Sequence, residues 1–173
     1  MKNNLLVIAH NKTKLEELAN FLSKDFELRA LDFNKYVEFN LGRDEKFVID
    51  NLGLEYYWNK YNKAFNELDD FEDSLVFTDM RICLNEEALQ KALNDYYVVI
   101  IDIPTKEQEY EISKYLLSKP YLYKSTKTKL MKNFRYAKSK AEIVVKYVNT
   151  SEETVNKIVK RIMEDIKRWP NSM

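Results

Sequence analysis

Short apolar runs alternate with longer amphipathic segments along the chain. Four of the runs are apolar enough to be strands inside a sheet, and they span residues 5–9, 74–80, 96–104 and 142–148. Continuous apolar runs of this length are typical of strands that are covered on both faces. A weaker alternation of apolar and polar residues over 26–33 predicts a further strand. The pattern therefore predicts about five strands.

The segments between the strands carry apolar residues at helical spacing. The predicted helices span 14–24, 44–52, 55–71, 85–95, 105–119, 125–140 and 150–169. Asn85 is placed to cap one of them, and Thr150 with Glu153 forms a capping box at the start of the last one. Because strands that are separated by helices pair in parallel through right-handed crossovers, the chain predicts an α/β fold. We expect a three-layer sandwich with a mostly parallel sheet.

The composition narrows the class of protein. A length of 173 residues fits a single domain over 1–173. The lone Cys83 has no partner for an intramolecular disulfide, and no segment reaches the roughly 20 apolar residues of a membrane span. No signal-peptide pattern opens the chain, so we expect a cytoplasmic protein. His10 is the only histidine, which argues against a metal site; it could be a general base, but a surface or hydrogen-bonded histidine is the commoner case.

The turn after the first strand reads AHNKTKLE (9–16) and contains no glycine. Ligands of parallel α/β folds bind at the carboxyl ends of the strands, and phosphate-binding loops lie at such strand-to-helix turns. These loops use glycine for positive φ angles and for the close approach of backbone N–H groups to phosphate. Gly42 and Gly53 are the only glycines in the chain. A backbone cradle for phosphate is therefore not expected in this turn.

Charge is distributed unevenly along the chain. Residues 1–112 contain 13 Lys+Arg and 23 Asp+Glu, a net charge of −10, whereas 113–173 contain 15 and 5, a net charge of +10. The stretch 113–141 has nine cations, no acid and no histidine, and aromatic residues are interleaved with its cations. Such a stretch suits a nucleic acid, an acidic protein or a nucleotide lid. The alternatives are a solvated helix and attraction to the chain's own acidic half.

The cations expected to contact an anionic partner are Lys124, Lys127, Lys129, Lys132, Arg135, Lys138 and Lys140. Lysine predominates among them, which favours contact with a phosphate backbone over the readout of bases. The acidic cluster at 67–74 could also meet the basic stretch of a second copy, so self-association is a further possibility.

Several segments, taken in order, resemble the deoxynucleoside monophosphate kinases of phages, a family with the P-loop kinase fold. LGRDEKFVIDNLGLEYYW (41–58) is similar to the family's segment of Leu-Gly, an acid and a helix, and SLVFTDMRICLNEEALQ (74–90) is similar to its strand that ends in Asp-x-Arg. YYVVIIDIPT (96–105) and AEIVVKYVNTSEETVNKIVKRIM (141–163) are similar to its later strands and closing helix. The resemblance implies a P-loop kinase-like fold, with ATP and Mg²⁺ as cofactors in the active members.

The residues that define the P-loop are replaced. When the first strand and helix are laid on the family's G-x-x-x-x-G-K-[ST] pattern, Ala9 and Lys14 fall at the two glycines. Leu15 falls at the lysine and Glu16 at the hydroxyl residue. Leucine cannot carry charge to the β- and γ-phosphates, and glutamate repels phosphate. Residues 25–40 are too short for the family's monophosphate-binding insert, and the lid region is also altered.

The resemblance leaves a few candidate residues for a site. Asp79 would lie near Mg²⁺ and Arg81 near a phosphate; alternatively, the two form an ion pair or cap the next helix. Lys12, Thr13 and Lys14 are candidate nucleotide contacts because the lysine charges could partly compensate for the lost cradle.

We therefore predict a catalytically degenerate, phage-type relative of these kinases that needs no cofactor. It is expected to bind a host or phage protein, or a nucleic acid, through the basic, lid-like stretch 113–141, and not a membrane. The alternative is an active or nucleotide-binding kinase that uses ATP and Mg²⁺ at an atypical phosphate site.

Overall fold

The computed structural model describes residues 4–10, 12–102, 105–120, 127–146 and 151–167. The strands of its sheet are β1 (Leu5–Ala9), β2 (Arg29–Asp32), β3 (Ser74–Asp79), β4 (Tyr97–Asp102) and β5 (Ile143–Lys146). Their order across the sheet is β2-β3-β1-β4-β5, and every neighbouring pair is parallel. The prediction of an α/β fold with a parallel sheet of about five strands is confirmed.

Helices cover both faces of this sheet. They are α1 (Lys12–Asp25), α2 (Phe33–Leu41), α3 (Glu45–Leu52), α4 (Leu54–Glu67), α5 (Glu86–Asp95), α6 (Thr105–Ser118), α7 (Lys127–Lys140) and α8 (Ser151–Lys167). A 3₁₀ segment, Met80–Leu84, joins β3 to α5. No helix in the described part of the chain is long and apolar enough to cross a membrane. The capping residue expected at Thr150 lies outside the described residues.

Two hydrophobic cores lie on opposite faces of the sheet, because successive side chains of a strand point in opposite directions. Leu6 and Ile8 of β1 belong to the core that is shared with helices α2 to α7. Val7 and Ala9 belong to the core that is shared with α1 and α8. Strands β1, β3 and β4 are buried at every position, which explains why they are continuous apolar runs in the sequence.

The outer strands are only partly covered. In β5, Ile143 and Val145 are buried, whereas Val144 and Lys146 are exposed. The strand predicted over 26–33 is shorter than expected, because β2 contains only Arg29–Asp32. The Asp32 side chain accepts a hydrogen bond from the Lys35 N–H at 3.1 Å and caps α2, which ends the strand there. Helix α2 was not predicted.

Candidate functional site

The carboxyl ends of β1, β3 and β4 lie side by side at one edge of the sheet. The parallel register places Ala9 opposite both Asp79 and Ile101. The polar residues that end or follow these strands are therefore neighbours along this edge: His10 after β1, Asp79 at the end of β3 and Asp102 at the end of β4. This is the edge at which ligands of parallel α/β folds bind.

The connection between β1 and α1 is short. Strand β1 ends at Ala9 and α1 begins at Lys12, so only His10 and Asn11 separate them. Residues 12–14 already form the first turn of the helix, although a phosphate loop would still be wrapping its ligand at these positions. The side chains of the candidates Lys12, Thr13 and Lys14 lie outside the described part of the chain.

The next two positions contribute to packing and to an ion pair. Leu15 is 1 % exposed and lies in the core between α1 and the sheet. The Glu16 carboxylate lies 2.8 Å from the Lys35 ammonium of α2. The side chains that match the motif's lysine and hydroxyl therefore have other partners in this fold.

Asp79 and Arg81 form a buried network at the end of β3. The Arg81 backbone N–H donates to Asp79 Oδ1 at 2.9 Å, and Arg81 Nη2 lies 3.4 Å from Asp79 Oδ2. Arg81 Nη1 donates to the Glu45 carboxylate, and the Tyr57 hydroxyl lies 3.3 Å from both groups. Arg81 is only 2 % exposed, so its guanidinium faces two carboxylates of the chain and is almost entirely out of solvent.

Lys119 adds a second cation to this network. Its Nζ lies 3.6 Å from Glu45 Oε1, just beyond the end of α6. Burial lowers the pKa of Lys119, and the nearby Arg81 lowers it further. Burial also raises the pKa of Tyr57. Two cations thus oppose two carboxylates, Glu45 and Asp79, and the Glu45 carboxylate occupies the position on Arg81 that a bound anion would need.

A second cluster surrounds His10 at the ends of β1 and β4. The imidazole is buried, and neither ring nitrogen has a hydrogen-bond partner among the residues that the structure describes. Its Nε2 lies 3.9 Å from Asp102 Oδ1, and its ring meets Phe134 edge to face at a centroid distance of 4.6 Å. Lys138 Nζ lies 3.0 Å from Asp102 Oδ2. The expectation of a surface or hydrogen-bonded histidine is wrong, because Phe134 covers the ring.

The charge state of His10 follows from its burial. Desolvation lowers the pKa of His10 to about 4, while the Asp102 carboxylate raises it and the Lys138 ammonium lowers it. The imidazole is therefore neutral near pH 7. The Lys138 ammonium lies closer to the Asp102 carboxylate than the imidazole does, and His10 packs against Phe134 of α7.

Helix α7 thus lies against the edge of the sheet that would hold a ligand. Phe134 and Lys138 contact the ends of β1 and β4, as described above. Asn133 Nδ2 donates to the Cys83 carbonyl at 2.8 Å and fixes the helix to the 3₁₀ segment after β3. Lys129 Nζ lies 3.2 Å from Glu86 at the start of α5.

The cations predicted to contact a partner separate into two sets. Lys129 and Lys138 pair with acids of the fold, and Lys127 is half-buried. Lys132, Arg135 and Lys140 are exposed, and Lys124 lies outside the described residues. Because α7 packs against the fold on one side, some of its cations contact the fold and the others face solvent.

The described residues contain no group of three or more His, Cys, Asp or Glu side chains that could hold a metal ion. Three members of the network around Arg81 were not predicted from the sequence: Glu45, Tyr57 and Lys119. The available signal was the acid after Leu41-Gly42 in the segment that resembles the kinases. An acid in the first turn of a helix is also common on surfaces, so it does not by itself predict burial.

Comparisons with known proteins address the fold. A scan against protein-family models returned no match, and a search of the curated proteins returned none. Among solved structures, the chain is similar to shikimate kinase from Aquifex aeolicus, with a TM-score of 0.74 and 22% identity over 94% of this chain and 98% of that chain. Shikimate kinase from Acinetobacter baumannii, in complex with shikimate, is similar with a TM-score of 0.74 and 14% identity over 94% of each chain.

Dephospho-CoA kinase from Campylobacter jejuni is similar as well, with a TM-score of 0.56 and 13% identity over 94% of this chain and 96% of that chain. The chain therefore has the fold of the P-loop kinases, and the fold implied by the resemblance is confirmed. At these identities the likeness concerns the fold alone, because one fold supports many activities.

Proposed function

We propose that this chain is a catalytically degenerate, deoxynucleoside monophosphate kinase-like protein that acts by binding an anionic macromolecule. Its phage origin and its location in the cytoplasm of a bacterial host are parts of the same proposal. In this proposal the kinase fold is a scaffold, and the basic helix α7 is the binding element. No cofactor takes part.

The burial of Leu15 is the observation that carries the proposal. A P-loop needs a lysine at the matching position, with its ammonium free to reach the β- and γ-phosphates. Here an apolar side chain at that position is 1 % exposed and packs between α1 and the sheet. An ammonium group could not replace it without either being buried or pulling α1 off the sheet.

The ion pairs of the other candidate side chains also support the loss of phosphate binding. Arg81 is paired with Glu45 and Asp79, so an incoming phosphate would have to compete with two carboxylates of the chain. Glu16, at the position of the Mg²⁺-ligating hydroxyl, is paired with Lys35. The ends of β1 and β4 are covered by α7.

Thermal unfolding with and without ligands tests the loss of nucleotide binding. The ligands are ATP–Mg²⁺, each deoxynucleoside monophosphate, and shikimate and dephospho-CoA, which are suggested by the structural neighbours. A ligand at about 100 times its Kd adds about 2.7 kcal/mol to the stability of the native state. For a domain of this size that corresponds to a rise of roughly 5–10 °C in Tm. We expect no rise with any of these ligands at millimolar concentration.

A phosphoryl-transfer assay completes the test. ATP–Mg²⁺ is incubated with each acceptor, and formation of ADP is measured against a blank without acceptor. We expect no transfer. Transfer to any acceptor would overturn the proposal and favour an atypical phosphate site. Lys12→Ala with Lys14→Ala, and separately Asp79→Asn, would then show whether the candidate residues supply that site.

A further inference from the structure

The exposed residues of α7 form one stripe along the helix. They are Thr128, Lys132, Arg135, Tyr136, Ser139 and Lys140. Residues that are three, four or seven positions apart share a face of a helix, so these side chains point away from the core together. The stripe from Lys132 to Lys140 extends about 12 Å along the helix axis. The opposite side is held by the buried Leu130, Phe134 and Ala137.

The cations of this stripe carry charge that the fold does not neutralise. Helix α7 contains no acid, and the two acids that its other cations contact, Glu86 and Asp102, are paired with Lys129 and Lys138. Within the described residues, Lys132, Arg135 and Lys140 have no ion-pair partner. Three positive charges are therefore available to an external anion.

An aromatic ring lies among these charges. Tyr136 is 39% exposed and lies next to Arg135, one helical turn before Lys140. The stripe has no exposed aliphatic side chain that could form the apolar centre of a protein–protein interface, and lysine is depleted in such interfaces. Cations that follow a phosphate backbone and an aromatic ring on which a base stacks are the combination used to bind single strands.

We infer that the outer face of α7 binds single-stranded nucleic acid without sequence preference, with Lys132, Arg135 and Lys140 on phosphates and Tyr136 stacked on a base. This inference rests on the proposed function and names its anionic partner. A single strand fits better than a duplex, because the bases of a duplex are already stacked on one another and cannot meet the tyrosine ring.

Fluorescence anisotropy with a labelled oligo-deoxythymidine tests the inference at several salt concentrations. Three phosphate contacts on a single strand predict a slope of log K against log salt of about −2. The variant Lys132→Ala/Arg135→Ala/Lys140→Ala should lose at least about tenfold in affinity at low salt and most of this slope. Thermal unfolding of each variant verifies that it is folded.

A matched control is available on α8. Lys157, Lys160 and Arg161 are exposed there and match the α7 set in composition, with two lysines and one arginine, although Lys157 pairs with Glu153 at 3.0 Å. Replacing them with alanine removes the same net charge from another surface, and it should change the affinity by no more than about twofold if the site is on α7. An equal loss in both triple variants would reveal general attraction to the protein's charge and would overturn the inference.

The role of the ring is tested by two substitutions. Tyr136→Ala should weaken binding about fivefold or more, because stacking on one base contributes roughly 1–3 kcal/mol, whereas Tyr136→Phe should bind as the wild type does. A wild-type affinity that is flat with salt, duplex DNA bound as tightly as the single strand, or no effect of Tyr136→Ala would each contradict the inference.

The acidic-protein alternative is measured in the same format with labelled poly-glutamate. If poly-glutamate binds through Lys132, Arg135 and Lys140 while the oligonucleotide does not, the inference fails and the proposed function stands. The proposed function fails separately, through nucleotide binding or phosphoryl transfer in the assays above. The two failures are therefore distinguishable.

Discussion

Among the residues at the end of β3, Glu45 is the one whose removal should destabilise the buried network around Arg81 most. Its carboxylate contacts Arg81 Nη1, and the Arg81 side chain is almost completely buried. In Glu45→Ala the guanidinium still has Asp79, at 3.4 Å, and the Tyr57 hydroxyl, at 3.3 Å, but it loses the carboxylate that Nη1 contacts. Lys119 loses the carboxylate that lies 3.6 Å from its ammonium. Both cations would then lose the carboxylate that they share, and one of them, Arg81, is buried.

The expected cost follows from this imbalance. Removing one partner of a buried ion pair costs about 3–5 kcal/mol, because the other charge stays buried without compensation. We expect about 3 kcal/mol for Glu45→Ala, since Asp79 still compensates part of the charge of Arg81. Domains of this kind are stable by about 5–15 kcal/mol, so the loss is a large share of the whole. Glu45→Gln retains an acceptor oxygen and should cost less, about 1–3 kcal/mol.

Urea unfolding followed by circular dichroism measures these free energies, with the slope of the transition checked for constancy. Asp50→Ala is the matched control, because it removes a carboxylate from the same helix whose partner Lys46 is exposed. It should leave the midpoint unchanged. Inorganic phosphate should restore part of the stability of Glu45→Ala beyond its general effect on the wild type, because it can take the vacated position on Arg81.

The reasoning would be refuted if Glu45→Ala unfolded at the same urea concentration as Asp50→Ala. It would also be refuted if the double variant Glu45→Leu/Arg81→Met were as unstable as Glu45→Ala. Replacing a buried ion pair as a unit by apolar side chains is often neutral or stabilising, so the double variant should recover most of the loss.

Three further predictions concern single side chains. Burial lowers the pKa of His10 in the folded state from 6.5 to about 4. The wild type should therefore lose up to about 3 kcal/mol of stability, relative to His10→Leu, as the pH falls from 6.5 to 4; urea midpoints at both pH values measure this. Leu15→Ala should cost about 2–5 kcal/mol in the same assay, whereas Leu117→Ala, at an 81% exposed position, should cost little. Gly42→Ala should lower the Tm by roughly 2–4 °C, because Gly42 caps α2 at φ 66 and a methyl group there meets strain but no steric clash.

The central strands could be predicted because their burial on both faces leaves an uninterrupted apolar run. Strands β1, β3 and β4 have this property and were located to within a few residues. Strand β2 was located poorly, since its four residues are at best half-buried. Helix α2 was missed because, of its apolar residues, only Phe33 and Val37 are fully buried, which gives no clear helical period.

The candidate site was predictable only where it coincides with the end of a strand. Asp79 and Arg81 were identified because they follow an apolar run, as ligand-binding residues of parallel sheets do. Glu45 lies 36 residues before Arg81 in the sequence, and it reaches the guanidinium only through the tertiary packing of α3 against α2 and α4. No local pattern reports such a pairing. On α7, in contrast, the period of Leu130, Phe134 and Ala137 indicates which side faces inward and so which cations face solvent.

The burial of Leu15 also limits which sequences this chain can reach by single substitutions. Replacing Leu15 by lysine would put an ammonium group into the core between α1 and the sheet, at a cost in stability that comes before any phosphate could be bound. Glycine at Ala9 or Lys14 would loosen the strand or the first turn of the helix, again without a ligand to compensate. Each single substitution would therefore lower stability without completing a phosphate loop. Under the proposed function, selection acting on one residue at a time would not restore phosphoryl transfer, even though the fold is that of a kinase.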